Sequence, residues 1–180
     1  MKEETFNLSE VLDGCLRNDR QSQRRLYDQY APKMLVLCQR YASSKEEAED
    51  MLMEGFMNVF KSIHTFRKES DFFTWMYKVV MNTSISHQRA NRRFVHEPLP
   101  DDRELEFDLV AEERIVSSLN ASYILELIQK LSDLQRVVFN LKAIEGYSFE
   151  EIAAQLNQKE NAIRAAYLRA RRNLQEALNK

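Results

Sequence analysis

The stretch "HEPLPDDRELEFDLVA", residues 96–111, holds two of the three prolines in the 180-residue chain, together with a run of carboxylates. Proline brings no backbone N–H, and crowded like charges resist compaction, so this stretch reads as a linker. Its flanks have the opposite character. They contain one proline, Pro32, and three glycines, Gly14, Gly55 and Gly146. Helix-forming Leu, Ala, Glu, Arg, Gln and Met dominate them. The expected architecture is all-α: two small helical domains, 8–95 and 112–180, joined by a flexible acidic linker, 96–111.

A formal net charge of −2 conceals how the charge is distributed. Residues 1–60 balance at −3, 61–96 at +5, 97–128 at −7 and 129–180 at +3. Two basic blocks separated by an acidic one offer two nucleic-acid surfaces that the average hides. No apolar run approaches the roughly 20 residues of a membrane span. The polar, acidic "MKEETFNLSE" is unlike a secretory signal. Cys15 and Cys38 are too few and too far apart for a disulfide framework or a metal knuckle, and read as buried thiols in a reducing cytoplasm. His64, His87 and His96 have no metal-ligand spacing, and nothing implies a cofactor.

Hydrophobic periodicity and capping residues divide the chain into helices. Asn7 with Glu10 caps a first helix carrying Leu8, Val11, Leu12 and Cys15. A second is expected over about 21–30, and Pro32 is expected to start a third, with Leu35, Leu37, Cys38 and Tyr41. Ser44 and Glu47 predict a capping box before an apolar stripe of Ala48, Met51, Leu52, Gly55, Phe56, Val59, Phe60 and Ile63. Glu46, Asp50 and Glu54 line the opposite face. Asp71 or Ser70 caps the next helix, whose buried side is Phe72, Trp75, Met76, Val79 and Val80. Beyond the linker, helices are expected over 112–130 and 133–144, the latter capped by Ser132 with Gln135 and stopped at Gly146.

From Ser148 onward the chain has a helix-turn-helix pattern. Ser148 and Glu151 box the first helix, Ala153 is small enough for a close crossing, and Leu156 ends the apolar side. Asn157 takes the turn, where a left-handed backbone is needed. Ile163, Tyr167, Ala170 and Leu174 make the buried stripe of the second helix. Arg164, Leu168, Arg171 and Arg172 are expected on the other face, with Lys159, Glu160 and Asn161 at the exposed first turn. Such a helix fits the major groove.

"AEDMLMEGFMNVFKSI" followed by "FRKESDFFTWMYKVVMNTSISHQRANRR" resembles the first conserved domain of bacterial sigma factors. "LSDLQRVVFNLKAIEGYSFEEIAAQLNQKENAIRAAYLRARRNL" is similar to the second. The likeness is greatest to the extracytoplasmic function (ECF) subgroup of the sigma-70 family and spans about residues 10–178. Met53 stands where glutamine is frequent in the family, Ser86 where Asp is, and Ser132 where proline is.

The resemblance implies a subunit that directs core RNA polymerase to promoters and has no catalysis of its own. Glu49, Asp50, Met53, Glu54 and Phe56 would dock on the clamp of the largest polymerase subunit, and the polymerase flap would be a further contact. Lys78, Asn82, Thr83, Ser84, Ser86, His87, Arg89, Arg92 and Arg93 would read and open the minus-ten element. Lys159, Glu160, Asn161, Arg164, Ala165, Leu168, Arg171 and Arg172 would read the minus-thirty-five element. Phe72 and Trp75 fit core packing better than base stacking. The acidic linker would occupy the polymerase cleft before nucleic acid enters, or serve as a solvated tether, and its sequence fits both. The free protein would be a monomer without membrane insertion, controlled by an anti-sigma factor.

The sequence is also compatible with two other readings. A helix-turn-helix repressor with a helical dimerisation domain would bind duplex DNA unaided. A metal-dependent helical enzyme would use Glu46, Asp50 and Glu54, although no histidine or second acidic helix closes such a site.

Overall fold

The computed structural model describes residues 6–91 and 121–179. Every element among them is helical. The chain divides into two compact units, one ending at His87 and the other beginning at Gln88. The expected linker 96–111, the residues 112–120 of the helix expected after it, and Arg92 and Arg93 lie outside the described residues.

The first unit contains α1 (Leu8–Leu16), α2 (Arg20–Tyr41), α3 (Lys45–Ser62) and most of α4 (Phe72–Asn91), with a 3-10 turn at Ile63–Thr65. Asn7 caps α1 through Oδ1, which accepts from the Glu10 N–H at 3.4 Å. The Glu10 carboxylate lies 3.8 Å from Arg25, so only the Asn7 half of the expected box appears. Asn18 turns the chain with φ 58°, and Asp19 caps α2, accepting from Ser22 N at 2.8 Å and Ser22 Oγ at 2.6 Å. Those bonds hold the Asp19 carboxyl below its ordinary pKa. α1 crosses α2 so closely at Gly14 that an added Cβ would lie 2.0 Å from Ser22 Oγ.

Pro32 does not start a helix. It sits inside a single 22-residue α2. Proline inside a helix removes one bond and costs about 3 kcal/mol. Here Leu26 and Ala31 before it, and Met34, Leu37, Cys38 and Tyr41 after it, are all buried. Burial of Leu26, Met34 and Leu37 contributes about 1.5–3 kcal/mol each, so continuity is favoured over a break. The carbonyl that Pro32 cannot serve is that of Asp28, an exposed residue.

Ser44 caps α3, accepting from Glu47 N at 3.1 Å. The Glu47 carboxylate reaches one residue further back than expected, to Ser43 N and Oγ, each at 2.6 Å. The apolar stripe of α3 faces the core as its spacing requires, with Phe60 half-buried at its edge. Asp71 caps α4, accepting from Phe73 N at 2.9 Å. Met76, Val80, Met81 and Ile85 carry α4 into the core. Phe72 is buried there against Phe66 and Trp75, and Trp75 is half-buried. Cys15 and Cys38 are buried free thiols, pushed up to about 11 mainly by that burial.

The second unit contains α5 (Ala121–Gln129), α6 (Asp133–Phe139) running into a π-helical turn (Asn140–Ile144), α7 (Phe149–Leu156) and α8 (Glu160–Leu178). Ser132 adopts extended cap geometry with no side-chain cap bond. Gln135 is buried instead, and its Oε1 accepts from Asn173 Nδ2 of α8 at 2.9 Å. Arg136 is also buried, donating to the carbonyls of Gln129 and Leu131 at 3.0 Å each and to Asp133 Oδ1 at 2.5 Å. It thereby satisfies carbonyls left over at the end of α5. The chain leaves the π turn through Gly146, whose φ of +79° suits glycine.

Candidate functional site

On α3, Glu46, Glu49, Asp50, Met53 and Glu54 are exposed along one side. Met53 and Met57 are each more than half exposed, an apolar pair beside the acids. Met53 and Phe60 border a shallow groove of about 470 Å³ with Tyr27, Asp28, Arg20 and Arg24 of α2. Flexible, polarisable methionines beside charge suit a protein-docking surface. Phe56 does not belong to it. It is 2 % exposed, and its ring packs 4.7 Å from Tyr27, so its stripe position outweighs its expected docking role. Met57 was missed in the sequence, although it lies one turn beyond Met53 on the same face.

On α4, Lys78, Asn82, Ser86 and Arg89 are exposed and recur at helical spacing, forming one polar strip. Thr83 and Ser84 turn inward and leave the expected minus-ten set. Thr83 accepts from Asn58 Nδ2 at 3.0 Å and donates to the Val79 carbonyl. Ser84 is fully buried, donating to the Val80 carbonyl at 3.0 Å beside Cys38 Sγ. Short hydroxyl side chains can return to the preceding turn and enter a core, which their polarity conceals in the sequence. His87 is mostly covered, with Nδ1 3.0 Å from Glu54 Oε2. A basic and aromatic edge between α2 and α4 was also missed: Arg40 bonds the Tyr77 hydroxyl, and Lys33 lies 5.6 Å over the Phe73 ring.

The helix-turn-helix has the expected local chemistry. Ser148 Oγ accepts from Glu151 N at 3.1 Å, and Glu151 Oε2 accepts from Ser148 N at 2.7 Å. These bonds hold the Glu151 carboxyl below its ordinary value. Asn157 is left-handed with φ 52° and ψ 49°, and Gln158 N returns to the Ala153 carbonyl at 3.0 Å. Ile163, Tyr167, Ala170 and Leu174 are buried.

Lys159, the N-cap of α8, is exposed, as are Asn161, Arg164 and Arg172 on the helix, with Glu160 and Leu168 partly so. Arg164 receives a two-point grip from Glu160 Oε1, at 2.9 Å from Nε and 2.5 Å from Nη2. Its guanidinium lies 4.6 Å over Phe149, whose ring also meets Lys142 at 4.9 Å. Ala165 and Arg171 leave the expected DNA face, being 3 % and 6 % exposed. Arg171 stands one turn past Tyr167, at the flank of the buried stripe, with its guanidinium 5.9 Å over that ring.

Among the described residues no three His, Cys, Asp or Glu side chains come together as metal ligands, so Glu46, Asp50 and Glu54 share a face without converging. No helix among them is long and apolar enough to cross a membrane.

Two family models match the chain in order. Sigma-70 region 2 matches residues 26–94, the span from α2 through α4, and Sigma-70, region 4 matches 121–174, the span from α5 into α8. The chain belongs to the sigma-70 family. Within this family member, the α3 and α4 faces fall in the region 2 match and the helix-turn-helix in the region 4 match. The RNA polymerase sigma-H factor of Pseudomonas aeruginosa is 27 % identical over 179 residues, covering 94 % of this chain and 92 % of its own length. The ECF RNA polymerase sigma-E factor of Haemophilus influenzae is 26 % identical over 177 residues, covering 93 % of each. The sigma factor RpoE of Bartonella quintana, solved in complex with the anti-sigma factor NepR, has the same fold. Its TM-score is 0.51 at 20 % identity, over 87 % of this chain and 96 % of that one.

Proposed function

We propose that this chain is an alternative, ECF-type sigma factor that binds core RNA polymerase and directs it to specific promoters. The observation that carries this reading is the ordered pair of region 2 and region 4 matches along one chain. Relatives named as RNA polymerase sigma factors align over nearly its whole length. The polymerase performs the chemistry, and the chain itself is assigned no catalysis.

Residues 8–95 form the docking and minus-ten domain, 96–111 the acidic tether and 112–180 the minus-thirty-five domain. Glu49, Asp50, Met53 and Glu54 dock on the polymerase clamp, supported by their common exposure on α3. Lys78, Asn82, Ser86, His87 and Arg89, with Arg92 and Arg93, handle the minus-ten strand. Hydrogen-bonding groups interleaved with cations suit a displaced, unstacked strand. Lys159, Glu160, Asn161, Arg164, Leu168 and Arg172 read the minus-thirty-five duplex. An anti-sigma factor is the proposed regulator, and exposed Leu16, Val36, Met53 and Met57 provide apolar surface for a protein partner.

The test is co-elution of the full chain with bacterial core RNA polymerase on a sizing column at moderate salt. A stoichiometric complex is expected. Absence of a complex, together with specific duplex binding by the chain alone, would overturn this reading in favour of a repressor.

A further inference from the structure

Glu54 and His87 belong by position to different faces, one for polymerase and one for promoter. In the fold they are one pair, joined at 3.0 Å, with side chains 48 % and 16 % exposed. One turn inward the tie repeats, Asn58 Nδ2 donating to Thr83 Oγ1 at 3.0 Å. Successive partners advance from 54 to 58 on α3 and retreat from 87 to 83 on α4, so the helices run antiparallel here. Gly55 permits the close approach, since a Cβ there would lie 3.1 Å from Val80 Cγ1. The inner rung is neutral, with Thr83 buried and Asn58 half-buried. The outer rung is ionisable and open to solvent on its Glu54 side.

A ring bonded through one nitrogen is restrained in rotation, and that bond selects which nitrogen carries the proton. His87 directly follows Ser86 and lies two residues before Arg89, both exposed on the α4 strip. We infer that Glu54 is a positioning residue for promoter DNA: by holding the His87 ring it sets the surface that α4 presents to the minus-ten strand. The inference rests on the sigma-factor reading. It makes one half-exposed carboxylate common to the docking face and the DNA face. Polymerase contact at Glu54 and strand binding at His87 are then linked, and binding linkage runs in both directions.

The test uses holoenzyme assembled from the full chain with saturating core polymerase, which removes any loss of docking affinity from the reading. The probe is a single-stranded oligonucleotide whose minus-ten sequence is selected from a randomised pool by the wild-type holoenzyme. Glu54→Ala, His87→Ala and the double variant form a mutant cycle. Each single change is expected to weaken oligonucleotide binding about fivefold or more, with the double variant no weaker than the poorer single. Glu54→Gln, which keeps an acceptor oxygen, is expected to restore most of the binding. Thr83→Val, which removes only the inner rung, is expected to lower the melting temperature and to act independently of Glu54→Ala on binding. If an alanine variant does not fold, the cycle is run with Glu54→Leu, which keeps the bulk and removes the acceptor, and His87→Phe, and decided on the same coupling. Single effects that multiply in the double variant, or unchanged binding by Glu54→Ala, would overturn the inference. Failure of the wild-type chain to assemble with polymerase would instead overturn the sigma-factor reading.

Discussion

Arg136 donates to the Leu131 carbonyl at 3.0 Å from inside the second unit, so an arginine of the basic C-terminal block serves the fold rather than DNA. Its fork also reaches Gln129 and Asp133. Arg136→Met is expected to destabilise this unit by about 2–4 kcal/mol, because the Asp133 carboxylate and two carbonyls lose their partner. Arg136→Lys recovers little, lacking the planar fork. Urea unfolding of both variants checks this.

Arg171 and Arg172 are neighbours with opposite assignments. Arg172 is exposed, so Arg172→Ala is expected to reduce the salt dependence of holoenzyme binding to duplex promoter DNA by about one phosphate contact. Arg171 is packed over Tyr167, so Arg171→Ala is expected to lower the melting temperature. Arg164→Ala is expected to cost about 1–3 kcal/mol of base discrimination in the minus-thirty-five element. Binding titrations at several salt concentrations, paired with thermal melts, separate the three.

At Gly14 an added methyl would meet Ser22 Oγ at 2.0 Å and Ser22 Cβ at 2.5 Å. Gly14→Ala is expected to destabilise the first unit by about 1–3 kcal/mol, because the clash involves Cβ and not only a movable hydroxyl. Adding Ser22→Gly is expected to return part of the loss, measurable as the urea midpoint.

The Glu151 carboxyl accepts from the Ser148 backbone and lies below its ordinary value of 4.5. A depressed folded value means its capping contribution is present above about pH 4.5 and disappears as pH falls through the lowered folded value. The stability difference between wild type and Glu151→Gln is therefore expected to shrink on acidification below pH 4.5. Paired urea curves across pH 3–6 check it.

Features that depend on local chemistry were legible in the sequence. Asn7, Ser44, Asp71 and Ser148 cap where expected, and Asn157 is left-handed, because a short acceptor or a tolerant backbone decides these positions within one turn. Features decided by a distant partner were not. Gln135 abandons a capping box for Asn173, 38 residues away, and Pro32 survives inside α2 because of what packs on both sides. The candidate faces divide similarly. Lys78, Asn82, Ser86 and Arg89 face solvent, while Thr83, Ser84, Ala165 and Arg171 do not. The resemblance implied a DNA-facing role for all of them, but their angle around the helix decides.

The π-helical turn at Asn140–Ile144 holds one more residue than an α turn of the same span. It acts as a length buffer ahead of Gly146 and the helix-turn-helix. Removing one residue there is expected to convert the wide turn to an ordinary one and to leave Ser148, Phe149 and the face of α8 in place. Chain length between α6 and α7 would then tolerate a change of one residue while the helix-turn-helix keeps its register.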